Sequence, residues 1–350
     1  MNPRKLYHWV KRSSKDWQGT TRHFKRAVIE FSRGVVLARS SQIRKVAGCV
    51  GGKPESQRRR LQRFIGRELP LETFFSGWTR SVMRATRLKQ IVLIVDETKL
   101  KAEWGVMVVG LAFHERCIPL AWRVYRANSS PDYPAEGQVG TIVQLLQAVQ
   151  AGLPGKMPVL VLADRGMGTS PALMRAIMAM EWCFLFRVTK QSQVILADGT
   201  AVTFYDQVTQ AGESYAASGV VFKKRGRIPA HVRVLWGTQA KDKWALVTND
   251  PHLTGWEYAE RMWIEEAFRD LKSHGWQVEA VCLDAPERMA RLWVPLVVAY
   301  AWMLLIGHAL LTGGQITAPV RRKDRGLARR WSLFREGWNW YLCSSPPVRT

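Results

Sequence analysis

Four residues in the stretch "YAERMWIEEAFRDLKSHGW", Tyr258, Arg261, Glu265 and Lys272, bring together a phenol, a carboxylate and two cations. If Trp256 to His274 forms one helix, 100° per residue places all four within an arc of roughly 60°. Two aspartates each close an apolar run, Asp96 in "QIVLIVDETKL" and Asp164 in "MPVLVLADRGMG". Asp96, Asp164 and Glu265 brought to one point would offer hard oxygen donors, which suit magnesium or manganese better than zinc. Two such ions about 3.5–4 Å apart can activate a water or hydroxyl and stabilise the leaving oxygen of a phosphodiester. Arg261 and Lys272 would then hold phosphates, and Tyr258 would hydrogen-bond one or stack. The plain alternative is a solvated helix edge with i,i+3 and i,i+4 ion pairs, beside two ordinary strand-end aspartates. The coincidence of both aspartates with that edge favours the site.

Those residues need a scaffold that converges them. Thr254 followed by Glu257 is a capping-box pattern, and Gly275 is a stop. Ile264, Ala267, Phe268 and Leu271 occupy the neighbouring arc and would pack the helix inward. Upstream, "QIVLIVDETKL", the two halves of "WGVMVVGLAFHERCIPLAWRVYR", "MPVLVLADRGMG" and "CFLFRVTK" read as strands, with a tight turn at "HER". Helices are expected over "GQVGTIVQLLQAVQAGL" and over "SPALMRAIMAMEW", where Ser170 caps and Pro171 opens the first turn. Continuous apolar strands imply a sheet covered on both faces. The order β-β-β-α-β-α-β implies an α/β fold with a mixed sheet, and ligands gather at the carboxyl ends of such strands.

The organisation along the chain follows charge and texture. The 350 residues carry a net charge of +24. Residues 1–90 hold 22 Lys/Arg against 5 Asp/Glu, and 321–350 hold 8 against 2, while the centre is nearly neutral. Basic ends around a neutral core are the footprint of a polyanion binder. Nucleic acid is favoured over an anionic membrane, because aromatic residues (Trp9, Trp17, Phe24, Phe64, Trp78) interleave with the basic ones. The expected division is a basic helical DNA-binding region at 1–88, a catalytic core at 89–188 and 250–318, a β-rich insertion at 189–249, and a basic tail at 319–350. Arg58, Arg59 and Arg60 are the first candidates for phosphate contacts. Five dispersed cysteines argue for a reducing compartment, and no apolar segment near Met1 reads as a secretory signal. The apolar run 292–311 is long enough to span a bilayer. Pro295, His308 and its solitary occurrence favour a helix buried in a large domain instead.

The spacing Y-x2-R-x3-E-x6-K, met by Tyr258, Arg261, Glu265 and Lys272, resembles the YREK signature of bacterial insertion-sequence transposases of family four. "IVDETKL", with Asp96 and Thr98, and "LADRGMG", with Asp164 and Arg165, look like that family's two aspartate motifs. "WALVTND" resembles the strand that returns from the insertion to the core. Met167 stands where an aromatic residue is frequent. The resemblance covers about residues 90–310. It implies an RNase H-like fold with a DDE triad of Asp96, Asp164 and Glu265 as metal ligands. It implies two Mg2+ ions (Mn2+ as a substitute), with Tyr258, Arg261 and Lys272 gripping phosphates near the transposon 5′ end. It also implies cut-and-paste transposition through a hairpin. The partners would be double-stranded DNA, both terminal inverted repeats and target, with a homodimer assembled on DNA in the bacterial cytoplasm and no membrane. In that family an insertion tryptophan receives a flipped base. Trp236, followed by Gly237, suits a strand end, whereas Trp244 begins an apolar run and suits the core. The rivals are a host nuclease or resolvase of the same fold, a catalytically silent DNA-binding relative, and a membrane protein with a basic cytoplasmic part.

Overall fold

The computed structural model describes residues 11–344 except 13, 18, 69–70, 129–132, 156, 224–225, 317–319, 323–325 and 329–330. Trp9 therefore lies outside the described residues.

Four helices come first: α1 (Arg22–Ala38), α2 (Ile43–Cys49), α3 (Pro54–Gly66) and α4 (Leu71–Thr86). Thr21 caps α1 by accepting the Phe24 N–H at 3.2 Å, and α1 ends where Arg39 turns left-handed. The strands β1 (Ile91–Leu100), β2 (Trp104–Phe113) and β3 (Arg116–Arg126) form an antiparallel meander. His114 and Glu115 both have positive φ, the conformation a two-residue primed hairpin turn requires, so the turn falls at "HER" as expected. After α5 (Gly137–Gln150), the strand β4 (Val159–Ala163) leads to the single turn α6 (Arg165–Gly168). Then come α7 (Pro171–Ala179), capped by Ser170, and β5 (Cys183–Arg187). Strands β6 (Gln193–Ile195), β7 (Ala201–Thr203), β8 (Ser214–Val221), β9 (Ile228–Leu235) and β10 (Trp244–Thr248) follow. The helices α8 (Trp263–Leu271), α9 (Pro286–Thr312) and α10 (Leu333–Ser344) complete the main elements.

Ten strands make one mixed sheet in the order β3-β2-β1-β4-β5-β10-β9-β8-β6-β7, flanked by helices. Its first five members, three antiparallel and then β4 and β5 parallel to β1, have the RNase H-like order. β2 and β4 are buried along their whole length, which explains why they read as unbroken apolar runs. The polar strands after β5 do not form a separate body. β10 pairs antiparallel with β5, and β9, β8, β6 and β7 extend the same sheet.

The helix α9 is longer than the apolar run alone suggested and is buried over most of its length, including Pro295. Ser32 Oγ donates to the Pro295 carbonyl at 3.0 Å, and Trp122 Nε1 donates to the Ala290 carbonyl at 2.9 Å. Its apolar surface is therefore spent on α1 and β3. The basic N-terminal helices also dock on the core: Trp78 Nε1 donates to the Pro119 carbonyl at 2.9 Å. Within the segment 319–350, the described residues Leu333–Ser344 form α10, which lies backbone-to-backbone on α9. A Cβ at Gly307 would meet the Leu333 carbonyl at 2.0 Å, and one at Gly337 the Met303 carbonyl at 1.9 Å. Only glycine fits at either place.

Candidate active site

Register sets the two aspartates side by side. β1 and β4 pair in parallel from Ile91↔Val159 to Val95↔Ala163. Asp96 and Asp164 are the next residues on these neighbouring strands, which lie about 4.8 Å apart. Asp96 does not end its strand. β1 continues to Leu100 against β2, with Asp96 opposite Val108. What ends after Val95 is the parallel partner, because Asp164 leaves the sheet to cap α6. Each aspartate commits one oxygen to the backbone: Asp96 Oδ1 accepts the Glu97 N–H and Asp164 Oδ1 accepts the Gly166 N–H, both at 2.9 Å. Each turns its Oδ2 towards Arg261.

The helix carrying Arg261 and Glu265 is shorter than the sequence indicated. Trp256–Met262 is a 3-10 segment, and the α-helix proper begins at Trp263 and ends at Leu271. Glu257 does reach back, accepting the Gly255 N–H at 2.8 Å and the Thr254 N–H at 3.3 Å. Tyr258 and Arg261 thus sit three apart in a threefold helix, which eclipses them, and Arg261 reaches Glu265 at i,i+4. At the far end Gly275 allows the chain to fold against the Asp270 carbonyl, 1.9 Å from where a Cβ would stand.

Arg261 is the hub. Its Nη2 donates to Asp96 Oδ2 at 2.9 Å and lies 3.5 Å from Asp164 Oδ2, while its Nη1 donates to Glu265 Oε1. Its Nε–H is buried and meets no acceptor among the described residues. Burial opposes its charge, but Asp96, Tyr258, Glu265 and Asp164 together raise its pKa. Burial pushes the Asp96 carboxyl up to about 6, against the pull of Arg261 and the Glu97 N–H. Among the described residues no three His, Cys, Asp or Glu side chains are grouped to grip one ion as they stand. The three acids instead bracket a guanidinium. An all-oxygen set already wrapped around a cation has the donor chemistry of a divalent site.

Tyr258 and Lys272 stand beside this hub. Tyr258 is buried, its ring edge-on to Trp244 at 5.2 Å, and burial raises its phenol to about 12. Lys272 caps the end of α8 and donates to the Lys99 carbonyl of β1 at 2.6 Å, tying that helix to the strand of Asp96. Burial lowers its pKa, with Glu279 opposing. Trp236 follows β9 and is half-buried, its Nε1 donating to the Ala240 carbonyl at 3.0 Å. The sequence reading overlooked Trp256, 52% exposed, which lies edge-on to Trp244 at 6.2 Å and over Gly237. An aromatic residue in the polar turn "TGWE" was the available signal. Arg58, Arg59 and Arg60 lie on α3. Arg58 and Arg59 pair with Glu55 at 2.7 and 3.2 Å, and Arg60 pairs with Glu30.

The sequence matches the family described as "Transposase DDE domain" over residues 87–302. The chain belongs to this family. The matched segment contains all three acids and spans β1 to the middle of α9. No curated protein matches the sequence. The crystal structure of human ENDOV is similar at 13% identity and a TM-score of 0.28, covering 60% of this chain and 88% of that one. This DDE transposase is a DNA-cleaving enzyme, and transposases of its kind depend in general on divalent metal.

Proposed function

We propose that this transposase is of the insertion-sequence family-four type. It would move a bacterial element by cut-and-paste, with Asp96, Asp164 and Glu265 as its catalytic acids. The observation that supports this reading is the convergence of those three carboxylates, from within β1, from the residue after β4 and from α8, on a single cation. Two bound Mg2+ ions would polarise the scissile phosphate and acidify the attacking water or hydroxyl. Asp96 and Asp164 are anchored through one oxygen by backbone N–H groups, so the other is held ready with little freedom. Arg261, displaced from the acids, would take a DNA phosphate in its planar fork. Tyr258 would hydrogen-bond beside it. Lys272 would release the Lys99 carbonyl to hold a second phosphate near the 5′ end of the element.

In the same reading water nicks one strand and exposes a 3′ hydroxyl, which attacks the opposite strand to form a hairpin; water reopens the hairpin, and the 3′ end then attacks target DNA. Bending the end is easier if one base leaves the stack, at a cost on the order of a few kcal/mol. Trp236 would receive that base. A homodimer would hold two terminal inverted repeats, with Arg58, Arg59 and Arg60 contributing to their binding, in the cytoplasm among the nucleoid DNA. The test is strand transfer: pre-cut ends joined to target DNA in a metal-dependent manner separate a transposase from a nuclease or a silent DNA-binding relative.

A further inference from the structure

A groove unrelated to the acids joins the N-terminal helices to the catalytic half. It has an open volume of about 830 Å³ and is lined by Arg59, Arg63, Arg67 and Arg288, with Ser56 and Gln62 between them. Arg59 and Arg63 lie four apart on α3, a turn from each other on one face, and Arg67 follows directly where the chain leaves the helix in extended conformation. A row of like charges on one helix face repels itself. Arg63 and Arg67 are exposed and make no ion pair among the described residues. Their neighbours Arg58 and Arg60 are occupied by Glu55 and Glu30.

Cations near the end of α3 also complement its dipole, but that explanation fails for Arg288. Arg288 comes from the first turn of α9, where the dipole disfavours a cation. Its local partner Asp284, at 2.9 Å, is itself largely exposed, and such pairs hold weakly. Nevertheless Arg288 leans over α3: its Nη2 would be 3.8 Å from a Cβ at Gly66. Arg291 fixes the two walls by donating to the Ile65 carbonyl. The groove is thus a junction between two elements lined by four guanidinium groups and by no aromatic side chain. That composition suits phosphates.

We infer that this groove binds the phosphodiester backbone of duplex DNA, without reading sequence, and clamps it across the seam between α3 and α9. The inference rests on the assignment of DNA as the substrate. The full-length Arg63→Ala/Arg67→Ala protein should bind a fluorescein-labelled duplex of arbitrary sequence about tenfold more weakly in anisotropy titrations. The slope of log affinity against log salt should shrink by about 1.8, two phosphates at 0.9 each. Arg44→Ala/Lys45→Ala removes the same charge from exposed positions of α2 and should change both far less. Arg63→Lys/Arg67→Lys keeps the charge and should keep the slope, which guards against a folding defect in the alanine pair.

The inference is overturned if the alanine pair binds like wild type, if the control pair loses as much, or if the lysine pair loses the slope. Glu265→Gln keeps the groove intact and should bind like wild type. A failure of the catalytic reading would appear in cleavage, and a failure of the groove in binding.

Discussion

Arg261 and Asp96 form a 2.9 Å ion pair in which neither side chain is more than 11% exposed, and this pair occupies the centre of the three acids. A buried cation left without acids, or acids left without a cation, is strongly destabilising, by about 3–5 kcal/mol for a broken buried pair. On the proposed reading, divalent metal and Arg261 would compete for the same oxygens. Arg261→Gln should lower the stability of the metal-free protein by about 3 kcal/mol, mostly through Asp96, since Asp164 and Glu265 are better solvated. Added Mn2+ should then raise the melting temperature of the variant more than that of wild type. An equal rise in both proteins would show that Arg261 does not hold the metal position.

The proposed hairpin step would allow a cleaner separation of roles. Trp236→Ala should leave the first nick intact and accumulate nicked ends, because an aromatic platform returns about 1–3 kcal/mol per flipped base. Trp256, exposed over Gly237, is the comparator. If Trp256→Ala accumulates nicked ends and Trp236→Ala forms hairpins at the wild-type rate, the platform is Trp256.

On α8 itself, Asp270 pairs with Arg116 at 2.8 Å, and burial raises its carboxyl to about 6 against that pull. In the unfolded chain it ionises near 3.8. Between these values the folded protein binds more protons than the unfolded one. Stability from this group therefore falls as pH rises from about 4 to about 6 and is level above. Urea unfolding of wild type and Asp270→Asn should show the wild-type advantage shrinking by on the order of 2–3 kcal/mol across that window. A difference independent of pH would contradict the assignment.

Much of this was legible in the residues. The apolar runs before Asp96 and Asp164 carried the strands, and the Tyr-Arg-Glu-Lys spacing carried the helix. What the sequence hid lies in non-local partners. Nothing in "QIVLIVDETKL" says that β2 will hold the strand straight for four residues beyond Asp96 while β4 stops. A helical wheel assumes one uniform pitch, but Arg261 reaches Asp96 and Asp164 from a 3-10 segment that precedes Trp263. The three arginines 58–60 looked equivalent in the row "RRR", yet Glu30 and Glu55 engage them while Arg63 and Arg67 stay open. The docked α10 depended on glycines at 307 and 337, whose contact across two helices leaves no periodic trace.

The central claim is that Asp96, Asp164 and Glu265 act together as the catalytic acids of DNA cleavage. Its most direct test is nicking of a duplex carrying the element's own end, with and without Mg2+, by wild type and by Glu265→Gln. Loss of a ligand whose ion supplies several kcal/mol of transition-state stabilisation predicts a rate at least about 10³-fold lower, with DNA binding unchanged. Near-normal nicking by Glu265→Gln, or equal nicking by wild type in chelator, would contradict it.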